Sequence, residues 1–287
     1  MLIDLQIHST YSDGYLTPTE VARFLAAQGV KVAALTDHNT VSGWSEFQRA
    51  CKNEGIKPIV GVELYTKLGR KHISVLWYNF DPSDPELHAI LRSSQVRRRN
   101  QVRKILSKMV DRGFKIDPEK LLDKYSHYIS INHLIDDLLA EPANRKKIKN
   151  ELGLSHPREE DIIHYYFYHT RNTKLHNACI DLKRIVRLKK RLGGQLIFNH
   201  PARYNQLKKD LIVELKKTGI DGLEALSPHH SVGAVLYAQA LAQELRMIMT
   251  GGSDFHRQEL TRGPLKDAWQ YFKIDSSNLL DIKKIIA

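Results

Sequence analysis

The chain has 287 residues, enough for one large α/β domain or for a core that carries an inserted second domain. Hydrophobic residues at 42% and charged residues at 26% describe an ordinary globular protein with a sizeable core. No apolar stretch of the sequence approaches the ~20 residues of a membrane-spanning helix, which argues against a membrane protein. The two cysteines are too few for a disulfide framework, so we expect a cytoplasmic protein.

The formal net charge is +12, because 44 Lys and Arg residues exceed 32 Asp and Glu residues. Much of the excess lies in three basic runs, at residues 97–104, 145–149 and 183–191. A positive field attracts anionic partners, and a nucleotide or nucleic-acid substrate is one interpretation. The other interpretation is that the charge serves solubility alone. Charge by itself does not separate the two.

The first ninety residues alternate predicted strands and helices. The predicted strands are LIDLQI (residues 2–7), VKVAALT (30–36), KPIVGVEL (57–64) and HISVLWY (72–78). The pattern TPTE at residues 17–20 is a capping box that starts a helix, and a second helix is expected over residues 42–54. This rhythm predicts a parallel sheet with helices outside it.

From about residue 85 to residue 191 the pattern is helical, without a convincing strand. One long amphipathic helix is expected to end near Gly113, and shorter helices are expected near residues 118–125, 131–140 and 159–168. The alternation then resumes with predicted strands QLIFN (195–199), DGLEALS (221–227) and RMIMT (246–250), which makes about seven strands. We interpret residues 90–180 as an inserted all-helical domain between two parts of a barrel, residues 1–89 and 181–287.

Candidate metal ligands lie at the ends of the short apolar runs. They are His8, Asp13, His38, Glu63, His72, His200, Asp254 and His256. Strands that end in an imidazole or a carboxylate place ligands at the mouth of a barrel. His, Asp and Glu without Cys suit Zn, Mn or Fe, and a bridging carboxylate suits a two- or three-metal site that activates water against phosphate esters. Taken singly, each His has a structural alternative, and the two Asp residues have alternatives as a turn residue and an N-cap.

At these positions the sequence resembles the PHP (polymerase and histidinol phosphatase) superfamily of metal-dependent phosphoesterases. The likeness is greatest to the branch that contains RNase AM and the nucleoside 3′,5′-bisphosphate phosphatases. The matching motifs are Asp4 to Ser9 together with Ser12 to Gly14, then Thr36 to Thr40, Gly61 to Glu63, His72, His200 to Tyr204 and Gly252 to His256. Six motifs in the family's order are a stronger indication than any one of them.

The resemblance implies a distorted (β/α)7 PHP barrel with a trinuclear metal centre at its mouth. The three implied ligand sets are His8, Glu63 and Asp254; Glu63, His72 and His200; and Asp13, His38 and His256. A metal-bridging hydroxide is then expected to attack phosphorus. The expected catalytic residues are Asp254, His200 and Arg203, of which Arg203 also binds the substrate phosphate.

Gln6 departs from the family, which has His at this position. Its amide oxygen is a weaker, neutral donor for Zn or Fe, although Gln6 stays among the candidate metal ligands. Three interpretations remain open: an active enzyme with altered metal preference, a two-metal enzyme with reduced activity, or a degenerate binding protein. We expect the substitution Gln6→His to raise the stoichiometry or affinity of metal binding.

Other positions near the motifs have less certain roles. Asn39 replaces the usual Asp beside His38, and Asn199 replaces the usual Ala before His-Pro. In the insertion, His133 falls near a family segment that faces the substrate, so it is either a substrate-binding residue or a partly exposed helix residue. His229 and His230 follow a predicted strand, and they either reach the substrate or form the loop.

We therefore expect a metal-dependent phosphoesterase that acts on nucleotides or short single-stranded oligonucleotides, with two or three divalent ions (Mn, Fe or Zn). A 5′→3′ exoribonuclease or a 3′,5′-bisphosphonucleotide phosphatase would fit the branch. The alternatives are a phosphatase of a small monoester, such as a sugar or histidinol phosphate, and a weakened nucleotide-binding protein. No obligate protein partner is evident from the sequence.

Overall fold

The computed structural model describes residues 1–125, 128–168, 175–257 and 274–287, without the side chains of residues 176 and 177. The chain divides into two compact units, residues 1–87 with 180–287, and residues 88–179. Among the described helices, none combines the length and apolar character that crossing a membrane requires.

The first unit is built on one sheet, which has nine strands in the described residues. They are β1 (Leu2–Ile7), β2 (Val32–Leu35), β3 (Lys57–Leu68), β4 (Lys71–Tyr78), β5 (Ile180–Asp181), β6 (Gln195–Phe198), β7 (Gly222–Leu226), β8 (Ile248–Gly251) and β9 (Ile274–Asp275). The order is β8-β7-β6-β4-β3-β2-β1-β9, with β5 beside β3. A parallel bridge between Ile7 and Phe255 joins the end of β1 to the segment after β8, so the sheet is nearly closed into a barrel.

The sheet is not parallel throughout, contrary to the expectation from the sequence. Strands β1, β2 and β3 are parallel to one another, as are β6, β7 and β8, but β4 is antiparallel to both β3 and β6. Leu68 pairs with Lys71, so only Gly69 and Arg70 join β3 to β4. Two residues can connect only antiparallel neighbours, because a parallel pair needs a crossover of about a dozen residues or more. Gly69 adopts φ +60°, as a tight hairpin turn requires.

Within the described residues, the α-helices of the two units are, in chain order, α1 (Pro18–Ala27), α2 (Trp44–Asn53), α3 (Pro85–Asp111), α4 (Pro118–Lys124), α5 (Ile131–Ala140), α6 (Pro142–Leu152), α7 (Glu159–Ile162), α8 (Leu182–Leu192), α9 (Lys209–Thr218), α10 (Val232–Glu244) and α11 (Lys283–Ile286). A π-helical turn (residues 163–168) follows α7. The expected capping box of α1 is present: the Glu20 N–H donates to Thr17 Oγ1, and the Thr17 N–H donates to the Glu20 carboxylate. It satisfies two donors that a helix start leaves open.

Each unit has its own hydrophobic core. In the first unit, Val21 and Leu25 of α1 and Phe47 of α2 are fully buried in the same cluster as Ile7 at the end of β1. This packing fixes the end of β1, from which the first polar residues of the barrel mouth follow. In the second unit, α3 and α5 contribute to a separate buried cluster that includes Leu134. The described residues of the second unit contain helices and no strand, and its status as an inserted domain stays a prediction.

Candidate metal centre

One group of potential ligands surrounds the Asp13 carboxylate. His38 Nε2 lies 3.2 Å from Asp13 Oδ2, and His256 Nε2 lies 3.3 Å from Asp13 Oδ1. His8 joins the group, with its Nδ1 3.7 Å from Asp13 Oδ1. The four ligand atoms lie within 4.8 Å of one another. The His256 Nδ1–H donates to the Asp254 carbonyl at 2.7 Å, which leaves the Nε2 lone pair directed at this group.

A second group shares His8 with the first. His8 Nε2 lies 3.1 Å from Asp254 Oδ1 and 3.3 Å from Glu63 Oε2, and the three ligand atoms again lie within 4.8 Å of one another. The His8 ring stacks against the rings of His38 and His256, with centroids 4.4 and 4.3 Å away. Two adjacent groups of ligands therefore meet at one imidazole.

Two glycines allow the loops that carry these ligands to approach so closely. A Cβ atom on Gly14 would lie 2.4 Å from the His8 carbonyl oxygen, so only glycine fits where the chain turns back after Asp13. A Cβ atom on Gly252 would lie 2.4 Å from Gln6 Cβ, where the loop after β8 crosses β1. Asp254 then adopts φ +51°, which brings its carboxylate beside His8.

A buried carboxylate of the β2 loop orders the loop that carries Asp13. Asp37 accepts hydrogen bonds from the Ser9 N–H (2.7 Å), the Ser9 hydroxyl (2.7 Å) and the Ser12 hydroxyl (2.6 Å). Burial raises the pKa of Asp37, and these hydrogen bonds oppose the rise. The Ser-Asp-Gly segment is therefore held in place independently of its own ligand atoms.

The electrostatics of the two groups suit a cation. Burial would raise the pKa of Asp13, Glu63 and Asp254, but the neighbouring imidazoles hold the pKa of each well below its ordinary value. Burial would likewise lower the pKa of His8, but hydrogen bonds to Asp254 and Glu63 raise it well above its ordinary value. Without a metal the carboxylates thus favour a proton on His8 and on His256. A divalent ion would replace those protons, so this set of buried nitrogen and carboxylate donors fits Zn, Mn or Fe.

The remaining sequence-derived ligand candidates are Gln6, His200 and His72, of which the first two contact Glu63. Gln6 donates from Nε2 to Asp254 Oδ1 at 3.0 Å and to Glu63 Oε2 at 3.3 Å. His200 is buried, with Nε2 3.6 Å from Glu63 Oε1. His72 lies opposite Lys67 on the β3–β4 hairpin. The two ligand groups found among the described residues include neither His72 nor His200.

Arg203 and His229 lie beside the second group. His229 Nε2 is 2.6 Å from Asp254 Oδ2, and Arg203 Nη1 is 3.4 Å from the same oxygen. The Arg203 side chain is 35% exposed, so its guanidinium is accessible from solvent next to the buried ligands. The role of His229 stays open from the sequence alone, because nothing in its local pattern indicates that it meets a loop 25 residues farther along the chain.

Other polar residues near the site have identifiable structural contacts. The His230 Nδ1–H donates to the Ala225 carbonyl at 2.9 Å, while its Nε2 accepts from the Ala202 N–H at 3.3 Å, so His230 ties the loop of Arg203 to β7. Asn39 accepts from the Tyr65 N–H at 3.1 Å, and the Tyr65 hydroxyl is 3.0 Å from His38 Nε2. Tyr65 follows the Gly-x-Glu motif by two residues on β3, and its place beside His38 was not predicted from the sequence.

His133 belongs to the second unit. It is half-buried near the start of α5, where its N–H donates to the Ser130 hydroxyl at 3.1 Å. Its ring lies 5.8 Å from the ring of Tyr125. The substrate contact that the family likeness implies for His133 stays a proposal.

Comparisons with known proteins agree with this architecture. A PHP domain is recognised over residues 4–244. The 5′-3′ exoribonuclease of Haemophilus influenzae is 30% identical over 265 residues, which cover 88% of this chain and 89% of the relative. The 3′,5′-nucleoside bisphosphate phosphatase of Chromobacterium violaceum is 27% identical over 259 residues, 88% of this chain and 87% of the relative. The chain therefore belongs to the PHP domain family.

A further relative and a solved structure extend the comparison. The phosphoribosyl 1,2-cyclic phosphate 1,2-diphosphodiesterase of Eggerthella lenta is 27% identical over 265 residues, 89% of this chain and 94% of the relative. A solved structure from Bifidobacterium adolescentis matches with a TM-score of 0.75 at 19% identity, over 96% of this chain and 98% of that one. The expected PHP barrel is thereby confirmed, and so is the expected class of enzyme, a hydrolase of phosphate esters.

Proposed function

We propose that this protein hydrolyses phosphate esters of nucleotides or short oligonucleotides at the metal centre described above. The observation that carries the proposal is the pair of buried ligand groups sharing His8, with the Arg203 guanidinium beside them. A cation site next to an accessible Arg is suited to a phosphate group, whose oxygens can contact both.

The metal ions of the proposal are divalent Mn, Fe or Zn. Asp13, His38 and His256 would hold one ion, and His8, Glu63 and Asp254 another. Bound there, such ions lower the pKa of a water molecule to near neutrality and polarise the phosphate oxygens.

Protein groups at the edge of the centre would bind and orient the ester. Arg203 presents a planar set of N–H donors that matches two phosphate oxygens, which a lysine at this place would not do. The imidazole of His229 contacts Asp254 Oδ2 at 2.6 Å, so it can hold a proton at Nε2 next to the reacting phosphate. His200, buried beneath them, borders the same space through its contact with Glu63. Asp254, His200 and Arg203 remain the proposed catalytic residues.

The proposed substrate class rests on the relatives and on charge. Two relatives that align over most of this chain are a 5′-3′ exoribonuclease and a 3′,5′-nucleoside bisphosphate phosphatase. The net charge of +12 favours polyanionic substrates of this kind. A small sugar phosphate is a second candidate, favoured by the likeness to the phosphoribosyl cyclic phosphate diesterase. We further propose a cytoplasmic location, since too few cysteines are present for a disulfide framework. We also propose that the protein acts without an obligate protein partner.

The test is product analysis with three substrates. Manganese-loaded protein is incubated with a 5′-phosphorylated RNA pentamer, a 3′,5′-bisphosphonucleotide and a ribose phosphate, with the Asp254→Asn variant as a control. We expect mononucleotides or free phosphate from one of the nucleotide substrates and none from the variant. Intact nucleotides with turnover of the ribose phosphate would favour the second candidate. Three intact substrates, with metal present in the protein, would contradict both.

A further inference from the structure

The two oxygens of the Glu63 carboxylate have different surroundings. Oε2 faces the ligand groups, 3.3 Å from His8 Nε2 and 3.6 Å from His38 Nδ1. Oε1 points the other way, where it accepts a hydrogen bond from the Ser74 hydroxyl at 2.5 Å and lies 3.6 Å from His200 Nε2. Glu63 would bridge to a further ion through Oε1, so the groups around this oxygen decide whether that ion binds.

The register of the β3–β4 hairpin determines which β4 side chain reaches Glu63. Glu63 pairs with Leu76, while His72 pairs with Lys67, four residues farther along the hairpin. Ser74 and His72 share one face of β4, because side chains alternate along a strand. Ser74 is nearer to Glu63 by two residues, or about 7 Å along the strand. Of these two β4 side chains, the serine is thus the one that reaches Glu63, and the histidine lies beyond it.

Ser74 does not replace an imidazole as a metal ligand. Its hydroxyl is neutral and carries a proton, which it donates to Glu63 Oε1 and so occupies the oxygen that a bridging carboxylate must offer. Among the described residues, His200 is then the imidazole on the Oε1 side of Glu63, and one imidazole with one engaged carboxylate falls short of the three protein ligands of a catalytic zinc site. The residues present therefore do not fit the ion that the family likeness implies between Glu63, His72 and His200.

Gln6 affects the neighbouring group less severely. Its amide donates to Asp254 and Glu63, but His8, Glu63 and Asp254 still converge within 4.8 Å of one another without it. The replacement of His by Gln thus leaves three protein donors in place. Among the described residues, the position next to Ser74 does not keep three protein donors in this way.

We propose that this chain binds two divalent ions rather than three, because Ser74 stands beside Glu63 Oε1 where a third ion would need an imidazole. The inference rests on the proposed function in one respect, because the two ions that do bind are those of the proposed metal-dependent activity. It follows that His200 is not held by a metal and is available to face the substrate. It also follows that a single added imidazole on β4 opens the third position.

The test counts metal ions per chain in the absence of substrate. Wild type, Ser74→His and Ser74→Ala are stripped with a chelator, reloaded with Mn²⁺ or Zn²⁺, dialysed and assayed by mass spectrometry of the metal. Lys71→His is the matched control, because it adds an imidazole to an exposed position of the same strand. We expect two ions per chain in wild type, Ser74→Ala and Lys71→His, and three in Ser74→His.

Three ions in wild type would overturn the inference, and so would a Ser74→His variant that folds, by circular dichroism, yet loads no more than wild type. If Ser74→His does not fold, the wild-type count alone decides, and anomalous diffraction at the manganese edge locates the ions. The number of bound ions and the proposed hydrolytic activity are measured separately, so one can fail without the other. A chain that binds two ions and hydrolyses nothing would refute the function while leaving the metal count intact.

Discussion

Asp4 is a buried ionisable group on β1, and its contribution to the free energy of unfolding depends on pH. It lies on β1, 3% exposed, and accepts hydrogen bonds from the N–H groups of Ser253 at 2.9 Å and Gln6 at 3.3 Å. Burial raises the pKa of Asp4 from 3.8 to about 7, against the opposing effect of the hydrogen bonds. In the folded protein Asp4 therefore keeps its proton at a pH where the unfolded chain has lost it.

The difference in the pKa of Asp4 between the folded and the unfolded chain sets the size and the sign of its effect on the free energy of unfolding. Between about pH 4 and pH 7 the native state binds more protons than the unfolded state, so the free energy of unfolding falls as pH rises. About three pKa units, at 1.36 kcal/mol each, amount to ~4 kcal/mol at neutral pH. Asp4→Asn keeps an oxygen that can accept from Ser253 but cannot ionise. We expect the variant to be more stable than wild type, by a margin that grows through this window and is constant above it.

The assay is urea denaturation of chelator-treated protein at about pH 5, 6, 7 and 8, comparing wild type with Asp4→Asn. Asp111→Asn, at an exposed position at the end of α3, controls for the chemistry of the substitution. The expected result is a difference in the free energy of unfolding that rises with pH for Asp4→Asn alone. A difference that is the same at every pH, or a destabilised variant at neutral pH, would refute the reasoning.

Three further predictions concern the site and the second unit. Arg203→Ala should lower kcat/KM for a phosphate ester by about 30-fold, the equivalent of ~2 kcal/mol for a hydrogen-bonded charge, and Arg203→Lys should recover only part of it in steady-state kinetics. Asp13→Asn should weaken one ion by more than about tenfold in chelator competition, because it removes the carboxylate between His38 and His256; equal affinity would exclude that role. Leu134→Ala, in the core of the second unit, should lower the free energy of unfolding by ~2–5 kcal/mol and leave the metal content unchanged. Loss of metal on this substitution would contradict the assignment of the ligands to the first unit.

Much of the candidate site was predictable because its ligands follow strand ends directly. His8 follows β1, His38 lies three residues after β2, and Asp254 and His256 follow β8, so the ends of neighbouring strands bring them together. The positions of these residues after strands can be recognised in the sequence, although the sequence gives no distances between them. Glu63 was predictable for the same reason, from its place within a buried strand.

His72 shows where this reasoning ends. His72 and Ser74 lie on one face of β4, and a pattern with a period of two cannot decide which of them lies nearer to Glu63. That choice depends on the pairing register, which the two-residue turn at Gly69 sets. The same turn fixes the direction of β4, and its glycine between two apolar runs was a hairpin signal that the βαβ interpretation overlooked.

Contacts between distant loops were beyond the sequence pattern. His229 meets Asp254 because the loops after β7 and β8 lie side by side, and no local spacing indicates this. Helix α6 was also missed, although Pro142 stands at its first turn and Gly153 in a left-handed conformation at its end, which are ordinary signals for a helix start and stop. Its charged composition lacks the apolar periodicity on which the other helices were recognised.

Hydrolysis of a 3′,5′-bisphosphonucleotide by metal-loaded protein in ¹⁸O-labelled water tests the proposed metal-dependent phosphoesterase activity most directly. We expect free phosphate that carries one ¹⁸O from solvent, formed only with metal present and lost in Asp254→Asn. Labelled phosphate from chelator-treated protein, or equal turnover by Asp254→Asn, would contradict a metal-dependent attack on phosphorus at this site.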